Sequence, residues 1–513
     1  MTALVHERFL RAAAAHPSAI AVQEASRSLT YEECRAAALG FAATLREELA
    51  PGARVAFALP KGAEAIVTML GTLLAGMTYL PIDVGAPAER QLRILQTGAD
   101  ALVCDPATVQ RLRAQGRDAG ADVPPHLPAD AILAMADRVG AASAPAVPSD
   151  RLAYILFTSG STGVPKGVAI SHANAAHFVG WAIDHFAISP TDRLAVHAPL
   201  HFDLPVLDVY AGLGTGATVC PIDERTVLFP SALRRFLIDR AITILYAVPS
   251  AWIALLERGD LAPGDLSLRL ALYAGEEFHV ASLARLMQRL RGTRVFNLYG
   301  PIETNAITVH EVAPGDLERP HIPLGAAIDG VQLVVADETG RAIGTPSIVG
   351  EICVSGPPVS PGYLAASGLA PSRRSVTVGG RSVSCYPTGD FARWEPDGTL
   401  MLCGRRDGLV KTRGFRVEIG DVEAALMRHP DVAQAAVFPV DDPQHTKVLH
   451  AAVAARPGRA PSAGELAAFC RRTLPGYMVP VRLDLVESMR HTSTGKIDRN
   501  AVRAALTPAA MSA

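Results

Sequence analysis

The residues with the clearest chemical potential are Leu156 to Val168, LFTSGSTGVPKGV. Tyr154 to Phe157 reads as a strand, and Val168 to Ile170 as a second. Between them, Thr158, Ser159, Gly160, Ser161, Thr162 and Gly163 form a loop that Pro165, Lys166 and Gly167 close. Glycines let backbone amides turn inward without Cβ clashes. A concave set of N–H groups, ringed by hydroxyls and one cation, is a cradle for a polyphosphate. It is not a Walker loop, in which Gly-Lys-Ser/Thr opens a helix, because here Gly167 follows Lys166 and a strand is expected next.

Polyphosphate chemistry needs partners elsewhere in the chain. Asn297, Leu298, Tyr299, Gly300, Pro301, Ile302, Glu303 and Thr304 follow a predicted strand. Tyr299 there could stack on a base, and Glu303 could hold Mg²⁺, which prefers oxygen ligands. Taken alone, the same segment is a turn with an exposed acid. Asp390, after Thr388 and Gly389, suits the two hydroxyls of a ribose, and Arg405 adds a cation. Lys496, in Thr494-Gly495-Lys496, is a mobile point charge suited to bridging a carboxylate and a phosphate.

The elements that must position these groups follow an α/β rhythm. Short apolar runs alternate with helical stretches through the first 100 residues and again from Ala195 to Val309. The uncharged run Ala65 to Ile82 reads as a buried helix entering a core strand, with Thr68, Gly71, Thr72, Gly76 and Thr78 arguing against a membrane span. Residues 105–150, rich in Ala, Asp and Pro, end in a surface connection. Val331 to Val335, Glu351 to Ser355 and Thr399 to Cys403 mark a β-richer part, and a helix is expected over Ile419 to Met427.

The 513 residues carry a net charge of −2, which points away from nucleic acid or an anionic membrane as partner. Seven scattered cysteines, no CxxC pair and no secretory signal fit a cytoplasmic protein. Two short patterns are set aside. Gly212, Gly214 and Ala217 match G-x-G-x-x-A away from any clear strand-to-helix turn. VGGRSV around Ser382, like a phosphopantetheine attachment site, falls between β-type runs.

Together the motifs resemble the adenylate-forming superfamily, and within it the amino-acid adenylation domains of nonribosomal peptide synthesis. The matching segments run in family order: LLAGMTYLPIDVGAPAER, the Ser/Gly/Lys loop, NLYGPIET, GEICVSGPPVSPGY, YPTGD, GRRDGLVKTRGFRVEIGDVEAAL, LPGYMVP and STGKIDR. The resemblance implies a large N-terminal domain (1–404) of layered α/β subdomains plus a β-rich subdomain. A hinge (405–407, centred on Asp407) and a small mobile C-terminal α/β domain (408–513) follow. It implies ATP and Mg²⁺ as cofactors. The loop from Thr158 to Lys166 would bind the triphosphate. Asn297, Tyr299, Gly300, Asp390 and Arg405 would bind the rest of the nucleotide. Glu303 would hold the metal, and Lys496 would join the α-phosphate to the substrate carboxylate. After adenylation the small domain would rotate, removing Lys496 and bringing the loop near Gly414 to the thioester step. One departure stands out: Ile302 replaces the family's usual threonine before Glu303, at an expected modest cost.

The resemblance also addresses the substrate. Asp203 is either an N-cap before Leu204 and Pro205 or a buried carboxylate that needs a cation. In the family this position takes an α-ammonium. Leu204, Leu207, Tyr246, Leu272, Ala274, Leu298, Ala306 and Ile307 would line the pocket between Asp203 and Lys496. That series is similar to the one in free-standing L-proline adenylating enzymes. It implies proline activation, then transfer to the phosphopantetheine thiol of a separate peptidyl carrier protein. Another small apolar amino acid such as alanine or valine, or an acyl-CoA synthetase using coenzyme A, are the alternatives.

Overall fold

A computed structural model of the chain describes residues 4–138, 145–158, 165–365, 368–405, 409–442, 446–490, 497 and 499–506. Two large sheets form the body. In the first, Arg193–Val196, Ile244–Ala247, Leu270–Tyr273 and Arg294–Tyr299 run parallel, and Thr308–Glu311 turns back antiparallel beside the last. Nearly every residue of these strands is buried, which is why they read as continuous apolar runs rather than alternating ones.

In the second sheet Arg54–Ala58 and Thr78–Pro81 lie parallel, with Leu152–Thr158 next to Thr78–Pro81. Lys166–Ser171 folds back antiparallel on Leu152–Thr158, with Thr158 opposite Lys166. The two ends of the hydroxyl loop are therefore neighbours. Ser159, Gly160, Ser161, Thr162 and Gly163 themselves lie outside the described residues.

The helix Ala63–Leu74 is buried all round except at Glu64, and Gly71 packs against Phe41. At Gly76 the chain turns into the strand Thr78–Pro81 with a φ of 73°, a conformation glycine adopts freely. This accounts for the uncharged run. No helix among the described residues is long and apolar enough to cross a membrane.

A third, five-stranded sheet comprises Gln332–Ala336, Gly350–Ser355, Arg374–Val378, Arg381–Trp394 and Leu400–Arg405. Beyond Arg405 a separate core forms from Val417, Ile419, Val422, Val437, Val453 and Leu466, among others. It joins the helix Ile419–Met427 to a sheet of Val432–Asp442, Thr446–Ala455 and Arg482–Val486. Burying each such side chain contributes roughly 1.5–3 kcal/mol against leaving it exposed. Asp407, the expected hinge, lies outside the described residues.

Three local expectations need amending. Part of residues 105–150 is the helix Pro106–Ala119, started by an Asp105 carboxylate that accepts from the Thr108 amide, with Pro106 in the first turn. Composition hid a start signal that the sequence contained. Gly212–Thr215 is a short helix that leads into the strand Thr218–Pro221, the reverse of a dinucleotide turn. Ser382 sits on a strand, paired with Thr377, rather than in a loop.

Candidate active site

The site lies where the first and third sheets meet the segment after Arg405. Glu303, expected as a turn acid, is only 2% exposed. Its carboxylate accepts from the Tyr363 hydroxyl at 2.7 Å. Arg416 donates to both its oxygens, at 3.2 and 3.0 Å. Burial alone would raise the Glu303 pKa, but Arg416 and then Tyr363 outweigh it and hold the carboxyl below its ordinary value. Glu303 is thus a buried anion already facing a cation.

Tyr299 ends the strand Arg294–Tyr299, and its hydroxyl donates to Asp390 at 2.7 Å. Arg405 donates to the other Asp390 oxygen at 2.6 Å and to the Thr388 carbonyl at 3.1 Å. Asp390 and Arg405 face one another across the antiparallel strands Arg381–Trp394 and Leu400–Arg405. Three of the residues expected at the nucleotide therefore form one buried cluster. Gly300 allows the following loop to fold tightly, since a Cβ there would meet the Asn305 carbonyl at 1.7 Å. Asn297 instead donates its amide to the Pro323 carbonyl at 2.8 Å.

Asp203 lies just before a helical turn, and the Val206 amide donates to its backbone carbonyl at 3.1 Å. Burial pushes its carboxyl up to about 6, with Lys411 opposing. With Leu204, Tyr246, Ala274, Ile302 and Ala306 it lines a small cavity of about 50 Å³. Leu207, Leu272 and Leu298 are buried in the same apolar cluster as Leu204 and Tyr246, behind the cavity wall. Ile307 turns to a different cluster, with Tyr299 and Tyr386. A π-helical turn over Leu207–Ala211 follows the Asp203 segment.

The remaining wall of this cavity was not anticipated residue by residue. Leu409–Thr412 and Phe415–Glu418 form a hairpin around Arg413 and Gly414, whose φ values of 52° and 81° are both left-handed. Lys411 and Arg416 are paired across it. Lys411 places its ammonium 5.7 Å from the Tyr299 ring centre, and Arg416 reaches Glu303. The Gly414 amide donates to Glu276 at 2.6 Å, and Glu418 stands 3.5 Å from the Lys166 ammonium. Phe415 packs edge-on against Phe202 and stacks on Tyr477. The sequence held one usable signal, two β-type runs flanking Arg-Gly, which places two cations on one hairpin face. Lys496 lies outside the described residues.

A second cavity of about 600 Å³ adjoins the first and shares Phe202, Leu204 and Gly414 with it. Its walls are mainly apolar, and Lys61, His197 and His201 also face it.

A large α/β body, a small second core and a polar cleft between them define a two-domain enzyme that handles a nucleotide. Residues 9–364 match the AMP-binding enzyme family and residues 421–496 the AMP-binding enzyme C-terminal domain, and the chain belongs to this family of ATP-using ligases. It is 37% identical over 508 residues to an L-proline–[L-prolyl-carrier protein] ligase of Pseudomonas fluorescens, covering 97% of this chain and 98% of that one. A ligase of the same name from Streptomyces coelicolor is 38% identical over 459 residues, covering 86% and 84%. Among solved structures, holo-PA1221, an NRPS protein containing adenylation and PCP domains bound to a vinylsulfonamide inhibitor, superimposes with a TM-score of 0.83 at 28% identity, covering 97% of this chain and 84% of that one. The amide bond synthetase McbA from Marinactinospora thermotolerans gives 0.83 at 27% identity, covering 98% and 100%.

Proposed function

We propose that the protein activates L-proline with ATP as prolyl-adenylate and passes the prolyl group to the phosphopantetheine thiol of a separate carrier protein. The observation that carries this reading is Asp203, a carboxylate lining a small cavity whose other walls are mainly apolar apart from Lys411 and Arg416, beside the Glu303 and Asp390 clusters. The two proline ligases it is similar to support the same choice. A secondary ammonium offers two N–H donors to Asp203, and the Leu204, Tyr246, Ala274 and Ala306 walls suit a compact ring. We also propose the division 1–404, 405–407 and 408–513 for the two domains and their hinge, and the cytoplasm as location, which suits seven free thiols.

The Glu303 carboxylate, buried and already matched by a guanidinium, suits a divalent cation in place of Arg416. Bound there, Mg²⁺ would neutralise charge on the phosphates. The chain's own residues supply the rest. Asp203 orients the amino acid. Lys166 and the hydroxyl loop hold the triphosphate, and Asp390 with Arg405 holds the ribose. A proline carboxylate oxygen then bonds to the α-phosphorus while the α–β bridging P–O bond breaks, and pyrophosphate leaves with that electron pair. Lys496 stabilises the charge developing at the α-phosphate.

In the second step a thiolate sulfur bonds to the prolyl carbonyl carbon, the bond from that carbon to the oxygen shared with phosphorus breaks, and AMP leaves with that oxygen and the electron pair. The 600 Å³ cavity is the path for the thiol arm, because it meets the small cavity at Phe202, Leu204 and Gly414. The seated hairpin belongs to this step, since Arg416 and Glu418 occupy the groups that adenylation uses.

The test is exchange of labelled pyrophosphate into ATP with each of the twenty amino acids, without a carrier. Exchange with L-proline alone is expected. A signal with alanine or valine instead would retain adenylation and overturn the choice of proline.

A further inference from the structure

The core beyond Arg405 has an open sheet edge. Arg482–Val486 is the outermost of its three strands, paired on one side with Thr446–Ala455 and on the other with no strand among the described residues. Its inward bonds fix what faces outward. The Val481 amide donates to the Leu449 carbonyl, and Leu483 lies opposite Ala451. The two-residue alternation of a strand then turns the backbone N–H and C=O groups of Arg482 and Asp484 away from the sheet. Such an edge is a template for another strand, and proteins commonly blunt it with proline, lysine or a bulge. Arg482–Val486 contains neither proline nor lysine.

The two faces of the strand differ. Val481, Leu483 and Leu485 share one face, where Leu483 reaches the core while Val481 is 53% and Leu485 49% exposed. Beside them, between the strand and the helix Ala463–Thr473, runs a groove of about 480 Å³ lined by Ala467, Pro480, Val481 and Leu483. Arg482 and Asp484 share the other face, 2.9 Å apart and opposite in charge. None of Val481, Arg482, Leu483, Asp484 and Leu485 lines the small or the large cavity. The adenylation and transfer chemistry therefore leaves this exposed apolar row unexplained.

We infer that this edge pairs with the same edge of a second copy of the chain, the two strands running antiparallel about Leu483. Charge selects that register. Strands that exchange backbone bonds must set their outward-facing residues opposite one another. An axis at Arg482 or at Asp484 would set like charges directly opposite, which destabilises a sheet. An axis at Leu483 sets Arg482 opposite Asp484 of the second copy, twice, and each of these pairs exchanges two backbone hydrogen bonds. On the other face Val481 meets Leu485 of the second copy at both ends and Leu483 meets its equivalent. The exposed apolar row thus covers itself. The contact is isologous and closes at two copies. A five-residue edge is small beside the roughly 1,200–2,000 Å² of a standard interface, so association is expected to depend on concentration. It does not depend on which amino acid the enzyme activates.

The experiment is sedimentation velocity of the full chain from about 1 to about 100 µM, a range that spans weak association. The wild type should move from monomer to dimer as concentration rises. Leu485→Lys, Arg482→Asp and Asp484→Arg should each stay monomeric, with melting temperature and pyrophosphate exchange close to wild type. An equimolar mixture of Arg482→Asp and Asp484→Arg should dimerise again, because an acidic edge then meets a basic one. The mixture does not restore the ion pair within either strand, so recovery reports the contact between chains. A wild type that stays monomeric would overturn the pairing, as would a dimer that survives Leu485→Lys. A mixture that fails to associate would overturn the register about Leu483. A monomeric wild type whose carrier KM rises in Leu485→Lys would give the edge to the carrier instead. Absence of amino-acid-dependent exchange in the wild type would count against the adenylation reading alone.

Discussion

The two cavities differ in what their polar groups are doing. Around the small one Glu303 is matched by Arg416, and the neighbouring Asp390 by Arg405 and the Tyr299 hydroxyl, while Asp203 has no ion-pair partner among the described residues. Around the large one Arg258 and Arg413 carry no ion-pair partner among the described residues, and most walls are apolar. The volumes agree, about 50 Å³ against about 600 Å³. On the proposed reading, the paired Glu303 and Asp390 and the small volume belong to a nucleotide site that the hairpin holds closed. On the same reading the larger volume belongs to the channel for the thiol arm. The difference teaches that one hairpin, Leu409 to Glu418, serves both regions, blocking the first as it builds a wall of the second.

The comparison breaks most sharply at Lys496. If the hairpin conformation excludes adenylation, that step depends on a lysine outside the described site. Lys496→Ala should lower proline-dependent pyrophosphate exchange by about 10³-fold, the scale seen on losing one preorganised donor to a developing oxyanion. Transfer from added prolyl-adenylate to a carrier should be nearly unaffected, as measured in a single turnover. Equal losses in both steps would place Lys496 in both conformations and remove the distinction.

Asp203 tests the small cavity alone. Asp203→Ala should raise the proline KM by about 10²-fold, the scale of leaving a buried charge partner unmatched, with the ATP KM little changed. The wild-type pH profile gives a second reading. Burial raises the Asp203 carboxyl to about 6, so the protonated form predominates in the empty site only below that pH. As pH falls below about 6 the carboxylate is lost and the proline KM should rise, close to tenfold per unit. Between the ordinary aspartate value of 3.8 and about 6 the unfolded chain ionises while the folded carboxyl keeps its proton, so the empty enzyme loses stability as pH rises across that window, and above it a bound ammonium offsets the loss. Proline should therefore increase the melting temperature more at pH 8 than at pH 5.

How much of this was readable beforehand depends on sequence distance. Strands such as Leu270–Tyr273 and the helix Ile419–Met427 were legible because burial on both faces, or on one stripe, leaves an apolar pattern in consecutive residues. Asp203, Tyr299, Glu303 and Asp390 were legible because short motifs carry them. The partners of those residues were not. Glu303 and Arg416 are 113 positions apart, and Lys166 and Glu418 are 252 apart. No local pattern records which distant cation will answer a carboxylate. Ile307 shows the same limit at close range. It sits next to Ala306 yet faces the Tyr299 cluster, because neighbours on an extended chain point to opposite sides.

The hairpin can be perturbed without touching either ligand. Gly414 has a φ of 81°, and a Cβ there would come within 2.7 Å of Val248. Gly414→Ala should lower thiol transfer about tenfold, from left-handed strain of about 1–2 kcal/mol, and leave pyrophosphate exchange intact. Arg416→Gln should act in the same direction, since it removes the pairing that seats the hairpin on Glu303. Loss of exchange in either variant would mean that the hairpin also shapes the adenylation state.

The smallest expected effect lies at Ile302, on the wall of the small cavity and packed against the main core. Restoring threonine adds a hydroxyl beside Glu303, and one hydrogen bond to a phosphate is worth about 0.5–1.5 kcal/mol net. Ile302→Thr should therefore speed pyrophosphate exchange about threefold. The same change removes apolar surface from the core contact and should lower the melting temperature slightly. Because Ile302 lines only the small cavity, the carrier KM should stay constant. A faster exchange with an unchanged carrier KM would separate the two regions by chemistry as well as by geometry. An equal change in both would show that the wall they share at Phe202 and Leu204 transmits what happens on one side to the other.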